Sequence, residues 1–212
     1  MHSSNTFIIA KEGWSLIVSL IALFLFFALI DADILQVITF FAALGTAWIF
    51  RNPERIIPLP QEKSIFAPCD GKVISIESID EADNTFFKVT IESACLDCSI
   101  LRVPFESSAT VLNVQCGARL GRLRPLAPYL NENAVIEFSD DNHNRMIVEH
   151  VLEQSFSPLS IQMYENSALV QGRRYGVMLQ GSTTMYLPHN SRVALNVGDK
   201  VLAGQTLIGY FS

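Results

Sequence analysis

Cysteine is scarce in this 212-residue chain, which holds four: Cys69, Cys95, Cys98 and Cys116. That is too few for a disulfide framework. Cys95 and Cys98 form one C-x-x-C. No second pair and no His pair at zinc spacing accompanies it, so ordinary reduced thiols are expected and no metal site is assigned. Basic charge is in short supply too. Lys and Arg number 15 against 21 Asp and Glu, a net charge of −6, which argues against a general nucleic-acid binder. Repeats of solenoid period and low-complexity tracts are missing. Apolar residues are in excess: half the chain is hydrophobic, with 14 Phe, and the excess is local.

Charge is absent from two adjoining runs, "WSLIVSLIALFLFFALI" (14–30) and "ILQVITFFAALGTAWIF" (34–50), separated by "DAD". Each run would be about 25 Å long as a helix, at the short end for crossing a bilayer. Trp14 and Trp48 sit at the outer ends, where amphipathic rings favour the interface. Lys11, Arg51 and Arg55 flank those ends, and the loop carries Asp31 and Asp33. The positive-inside rule puts both outer ends on the cytoplasmic side of the cell (inner) membrane. A signal peptide fits poorly, because a second apolar run follows without a small-x-small site. A re-entrant or interfacial hairpin stays open as an alternative.

Residues 51–64, "RNPERIIPLPQEKS", read as a charged, Pro-bearing linker between the 1–50 hairpin and a domain over 65–212. There the pattern becomes short strand-like runs, among them "KVISIESI", "FFKVTIES", "NAVIEFS", "RMIVEHVL", "RRYGVMLQ" and "VLAGQTLIGYF". Asp70-Gly71, Asp83-Asn84, Asp140-Asp141-Asn142 and Asn196-Val197-Gly198-Asp199 mark turns. The expected fold is mainly β, a barrel-sandwich-like domain. "ARLGRLRPLAPYLNE" (118–132) is the one long irregular piece. Its Arg119, Arg122 and Arg124 alternate with leucines, as a solvated loop or as a loop touching an anionic lipid surface. "FAPCDGKVISI" and "LNVGDKVLAGQTLIGYF" resemble in style the halves of biotinyl and lipoyl carrier domains. The modifiable Lys of Met-Lys-Met or Asp-Lys-Ala is absent, which argues against a swinging-arm carrier.

One stretch is costly as plain structure. In "GVMLQGSTTMYLP" (176–188) a Gly-Ser step interrupts strand-like sequence, and glycine in a strand weakens it. A Gly-Ser bond has a chemical use, however. The serine hydroxyl can attack the preceding carbonyl, turning amide into ester. Loss of the α-proton expels the ester, and hydrolysis leaves a pyruvoyl group on a cut chain. That ketone condenses with a substrate amine and draws electrons from the bond to a departing carboxylate. Most Gly-Ser-Thr triplets are turns, so the triplet alone says little.

Taken together, "KEGW" (11–14), the apolar pair, "FRNPER" (50–55), "FAPCDGKV" (66–73), "NENAVIEF" (131–138), "GRRYGVMLQGSTTMYLP" (172–188) and "VGDKVLAGQTLIGYF" (197–211) resemble the phosphatidylserine decarboxylase family in its short bacterial and archaeal form. The resemblance implies self-cleavage at Gly181-Ser182, giving a β chain that ends at Gly181 and an α chain that starts with a pyruvoyl group derived from Ser182. It implies a membrane phospholipid substrate with a serine headgroup, converted to its ethanolamine counterpart. It also implies a processing role for Asp70, as base or as orienter of a base; by the residues alone Asp70 is a turn former before Gly71. Arg102 and the Arg119–Arg124 cluster are candidates to hold the phosphate and the membrane surface. Oligomeric state is left open.

The chain departs from the family at two main places, and at a smaller one, Gln180 before Gly181, where Leu or Phe is usual. In "DCSILRVP" (97–104) the position of the family's histidine is Ser99, and serine cannot serve as an acid or base near pH 7. In "EHVLEQSFSP" (149–158) the family's basic pair is gone, and Glu149, His150 and Glu153 appear. His150 is either a half-buried strand histidine or the replacement for the missing one. Two functions follow: a pyruvoyl-dependent decarboxylase with Ser182, Gly181, Asp70 and His150 as its catalytic set, or an inactive homologue that binds lipid or a partner.

Overall fold

The computed structural model describes residues 8–58, 63–81, 84–163 and 168–212. The chain divides into two compact units, Met1–Glu54 and Arg55–Ser212, so the later part of the expected linker goes with the second. Residues 59–62 of that linker, and Asp83 of the expected Asp83-Asn84 turn, lie outside the described residues.

The first unit is a helical hairpin. Helix α1 spans Lys11–Leu29 and α2 spans Asp33–Ile49. Asp31, at φ 53°, supplies the left-handed residue of the tight turn between them. At the open end Ile9 and Arg51 form a β-bridge, and Ala10 N–H donates to the Phe50 carbonyl at 2.9 Å. A Cβ on Gly13 would lie 2.6 Å from the Phe50 ring, which is itself fully buried, so glycine is what seats that ring. Ser19, Thr39 and Thr46 turn their hydroxyls back to carbonyls one turn earlier, the local bond such side chains make inside helices. Leu16, Ile21, Phe26, Val37, Phe41 and Leu44 are exposed on the helix surfaces. By length and composition α1, at 19 residues, can cross a bilayer; α2 has 17.

The second unit is mainly β, as the run pattern predicts. Its elements are β1 (Ser64–Phe66), β2 (Gly71–Glu81), β3 (Asn84–Ser93), β4 (Ile100–Arg102), β5 (Ser107–Gln115), α3 (Ala127–Leu130), β6 (Asn133–Ser139), β7 (Arg145–Leu152), β8 (Ser160–Ile161), β9 (Ala168–Leu169), β10 (Arg174–Val177), β11 (Gly181–Pro188), β12 (Ser191–Val193), β13 (Lys200–Val201) and β14 (Leu207–Phe211). They form an eight-stranded sheet in the order β13-β2-β3-β11-β7-β6-β5-β9 and two three-stranded sheets, β1-β14-β12 and β4-β10-β8. Period-two alternation puts Ala134, Ile136 and Phe138 of β6 inward, with Met146, Val148, His150 and Leu152 of β7. Phe105, Phe138, Tyr175 and Phe211 close the centre edge to face, at centroid separations of 5.0–6.4 Å.

Two runs that read as single strands are broken. "RRYGVMLQ" is strand only to Val177, and Met178–Gln180 bend from the β4-β10-β8 sheet into the large one. "VLAGQTLIGYF" splits into β13 and β14 around Gly204, whose φ of +71° makes the turn.

Candidate active site

Gly181 and Ser182 therefore open β11 directly after a bend, instead of interrupting a continuous strand. β11 lies between β3 and β7, with Gly181 opposite Ser93 and Leu152, and Ser182 opposite Glu92 and Val151. Glycine is required at 181 by a close approach: a Cβ there would sit 2.1 Å from the Val151 carbonyl oxygen. The Ser99 carbonyl accepts the Met178 N–H at 2.8 Å. The position of the missing histidine thus holds the start of the bend.

Side chains along β11 alternate between two faces, and the chemistry divides accordingly. Ser182 is half-buried on the outer face. Its hydroxyl donates to Glu153 Oε1 at 3.1 Å. Glu153 follows the last residue of β7 and is clamped there. Its N–H donates to the Gln180 carbonyl at 3.0 Å, and Gln154, at φ 44°, donates to the Arg119 carbonyl at 3.0 Å. The Asn131 amide holds the Leu152 carbonyl at 3.0 Å. Burial raises the Glu153 carboxyl above its ordinary value, against the lowering effects of the Ser182 bond and of Arg122, while Glu92 adds to the rise.

Thr183 points the other way, into the core. Its hydroxyl lies 2.8 Å from His150 Nδ1, and His150 Nε2 lies 2.6 Å from the Tyr175 hydroxyl. His150 is fully buried, where the run pattern allowed only half burial. Register is the reason: it sits opposite Thr183 in the inward set. Burial lowers the imidazole to about 3 and keeps it neutral. Cys69 is in hydrogen-bond reach of Thr183 and Ser93; burial raises its thiol to about 11, with those two bonds pulling down. His150 and Ser182 are therefore on opposite faces of the sheet.

Asp70 is buried, and its carboxylate is gripped by Arg55, with Nη1–Oδ1 and Nη2–Oδ2 both at 2.6 Å. Arg55 Nη1 also donates to the Ala203 carbonyl, and the Ala203 N–H returns a bond to Asp70 Oδ1 at 2.8 Å. The Asp70 backbone carbonyl accepts from Ser93 Oγ at 2.5 Å. Asp70 thus reaches β11 through Ser93, which faces Gly181. Its carboxylate turns to Arg55.

The four candidate binding arginines separate. Arg102 is buried, with Nη1 on the Gly172 carbonyl at 3.0 Å. Arg119 is tied to Glu132 at 3.1 Å and to the Ser155 carbonyl at 3.2 Å. Arg122 is exposed and pairs with Glu92 at 3.3 Å, beside Glu153. Arg124 is exposed, as are Leu123 at 96 % and Tyr129 at 76 % on the same loop.

The structure thus brings Gly181, Ser182 and Arg122 together around Glu153, and sets Asp70 one strand away. His150 lies behind the strand, and Arg102 belongs to another sheet. Glu153, Arg55, Thr183 and Tyr175 were not singled out as site residues from sequence. Glu153 carried one available signal, an acidic residue in the 149–158 segment where the chain departs from the family pattern.

Comparison with known proteins agrees with the resemblance. Residues 43–209 match the model of the family described as phosphatidylserine decarboxylase. A phosphatidylserine decarboxylase proenzyme of Symbiobacterium thermophilum is 31 % identical over 95 % of this chain and 95 % of its own. The proenzyme of Geobacter metallireducens is 30 % identical over 99 % of each chain, and that of Syntrophus aciditrophicus 29 % over 96 % and 97 %. No solved structure matches the chain. By the extent of these matches, the chain belongs to the phosphatidylserine decarboxylase family.

Proposed function

We propose that this protein is a membrane-anchored phosphatidylserine decarboxylase, made as a proenzyme and cut by its own chemistry between Gly181 and Ser182. The carrying observation is the Gly-Ser pair itself: a glycine whose position admits no side chain, followed by a serine whose hydroxyl is bonded to a buried carboxyl group. Relatives of nearly equal length bear the proenzyme name.

The residues fit a pyruvoyl group derived from Ser182. Ser182 is the second residue of a strand that opens after a bend, is half-buried, and follows a glycine, which has no side chain to shield the bond between them. Once formed, that group supplies an electron sink for an amine-bearing substrate as carbon dioxide departs. The chain's own residues do the rest. Asp70, fixed by Arg55, orients Ser93 opposite Gly181. His150 and Tyr175 hold Thr183, and so the back of β11. Arg122 and Arg124 face solvent and take the anionic headgroup, with Leu123 and Tyr129 entering the lipid beside them. Arg119 shapes that loop, and Arg102 supports the turn at Gly172.

The hairpin 1–50 serves as anchor at the inner face of the cell membrane, and the domain from 65 carries the chemistry on the cytoplasmic side. An anchored enzyme searches for its lipid in two dimensions. A second reading, an inactive homologue that binds lipid, is favoured by Ser99 standing where the family carries histidine. Purified protein given phosphatidylserine in mixed micelles decides between them. The enzyme releases carbon dioxide and the Ser182→Ala variant does not; an inactive homologue releases none in either form.

A further inference from the structure

On that reading of the Gly181-Ser182 bond, we propose that Glu153 is the catalytic base of self-cleavage, taking the proton from Ser182 Oγ as that oxygen attacks the Gly181 carbonyl. The geometry is direct, with the hydroxyl already donating to Glu153 Oε1 at 3.1 Å. Among the described residues no other ionisable side chain is shown bonded to this hydroxyl. His150 is on the opposite face and engaged at both ring nitrogens. Asp70 gives its carboxylate to Arg55 and Ala203. Glu92 is the exposed partner of Arg122.

Glu153 is also built into place. Its backbone N–H holds the Gln180 carbonyl, one residue before the bond to be cut. The same stretch of backbone is tied down on its other side by Asn131 and Arg119. A base fixed to the scissile segment through its own main chain keeps its distance to the nucleophile without relying on side-chain packing.

The step balances. The Ser182 proton moves to Glu153, Oγ bonds to the Gly181 carbon, and the carbon–nitrogen bond breaks. The proton on Glu153 then goes to the departing nitrogen of residue 182, leaving an ester, a free amine and Glu153 ionised again. The groups facing Glu153 are Ser182 from β11, Glu92 from β3 and Arg122 from the loop. Burial raises its carboxyl, which puts the acid limb of cleavage above the range of an ordinary glutamate.

The test follows full-length chain made in a cell-free system with detergent micelles, transferred to buffers between pH 4 and 8 and sampled over time by intact mass. Wild-type chain should convert to two pieces, faster as pH rises through a midpoint above that of an ordinary glutamate. Glu153→Gln keeps shape and hydrogen bonding. It should convert about 100-fold more slowly or worse, and lose the pH dependence. Glu153→Asp withdraws the carboxyl by one methylene; it should convert slowly but keep the pH dependence, and it decides the matter if Glu153→Gln melts as an unfolded chain. Wild-type rates with a wild-type pH profile in the folded variant overturn the proposal while leaving self-cleavage intact. A wild-type chain that stays whole, like Ser182→Ala, overturns both.

Discussion

Each residue at the site has a specific liability that a measurement can expose. Arg55 and Asp70 form a buried ion pair, with side chains 9 % and 6 % exposed. Removing one partner strands a buried charge, which typically costs about 3–5 kcal/mol. Arg55→Ala should therefore lower stability by about 3 kcal/mol or more, read as a drop in the urea midpoint. The double variant Arg55→Met/Asp70→Asn should recover part of the loss. An unchanged midpoint in the single variant contradicts the pairing. His150 gives a pH signature. Folded, its imidazole stays neutral down to about 3; unfolded, it takes a proton near 6.5. Across that window the unfolded chain binds the extra proton, so stability is full above 6.5 and falls as pH falls. The slope is about 1.4 kcal/mol per pH unit for this group. His150→Gln should flatten the difference by that amount in denaturation curves between pH 4 and 6.5; equal slopes in both proteins refute it. His150 was visible in the sequence as a strand residue that is either structural or catalytic. Its face follows from local alternation with Met146, Val148 and Leu152; what no local pattern encodes is its partner, Thr183 on β11, 33 residues away.

At the level of elements, the two apolar runs and the alternating strands were legible because each carries its own periodicity. The limits were set by turns. The Met178–Gln180 bend contains neither Gly nor Pro, so "RRYGVMLQ" reads as strand through Gln180. The bend is made by long-range backbone bonds, Met178 N–H to the Ser99 carbonyl and Glu153 N–H to the Gln180 carbonyl. The 118–132 loop reads as solvated or as lipid-contacting, and its Leu123, Arg124 and Tyr129 are exposed, as the proposed lipid contact requires. An arginine near an anionic surface contributes about 1 kcal/mol, or roughly fivefold. Arg124→Gln should accordingly raise KM for phosphatidylserine in mixed micelles about fivefold with kcat unchanged; a fall in kcat at constant KM would put Arg124 in the chemistry instead. The hairpin predicts that cell membranes washed with high salt or alkali retain the protein and that detergent releases it. Release by salt alone would reduce α1 and α2 to a peripheral contact.

For the whole molecule, the resemblance spans the hairpin, the β domain and the Gly-Ser pair, and the family match covers residues 43–209. A fold shared at about 30 % identity fixes the architecture while leaving individual site residues free to change, and this chain changes two of the segments that carry them. Ser99 and the 149–158 segment depart together. The structure gives a physical sense to the second, since it puts a carboxyl group at the hydroxyl of Ser182. Sequence alone could rank Asp70, Gly181 and Ser182, because motifs quote them. It could not rank Glu153, whose importance comes from where β7 ends relative to where β11 begins. Central to the proposed function is the peptide bond between Gly181 and Ser182. The most direct measurement is the intact mass of purified protein together with amino-terminal sequencing of its pieces. The account predicts that the 23.6 kDa chain is found as two polypeptides divided between Gly181 and Ser182, the shorter one with a blocked amino end that borohydride reduces. A single unbroken chain with an ordinary serine at 182 would contradict it.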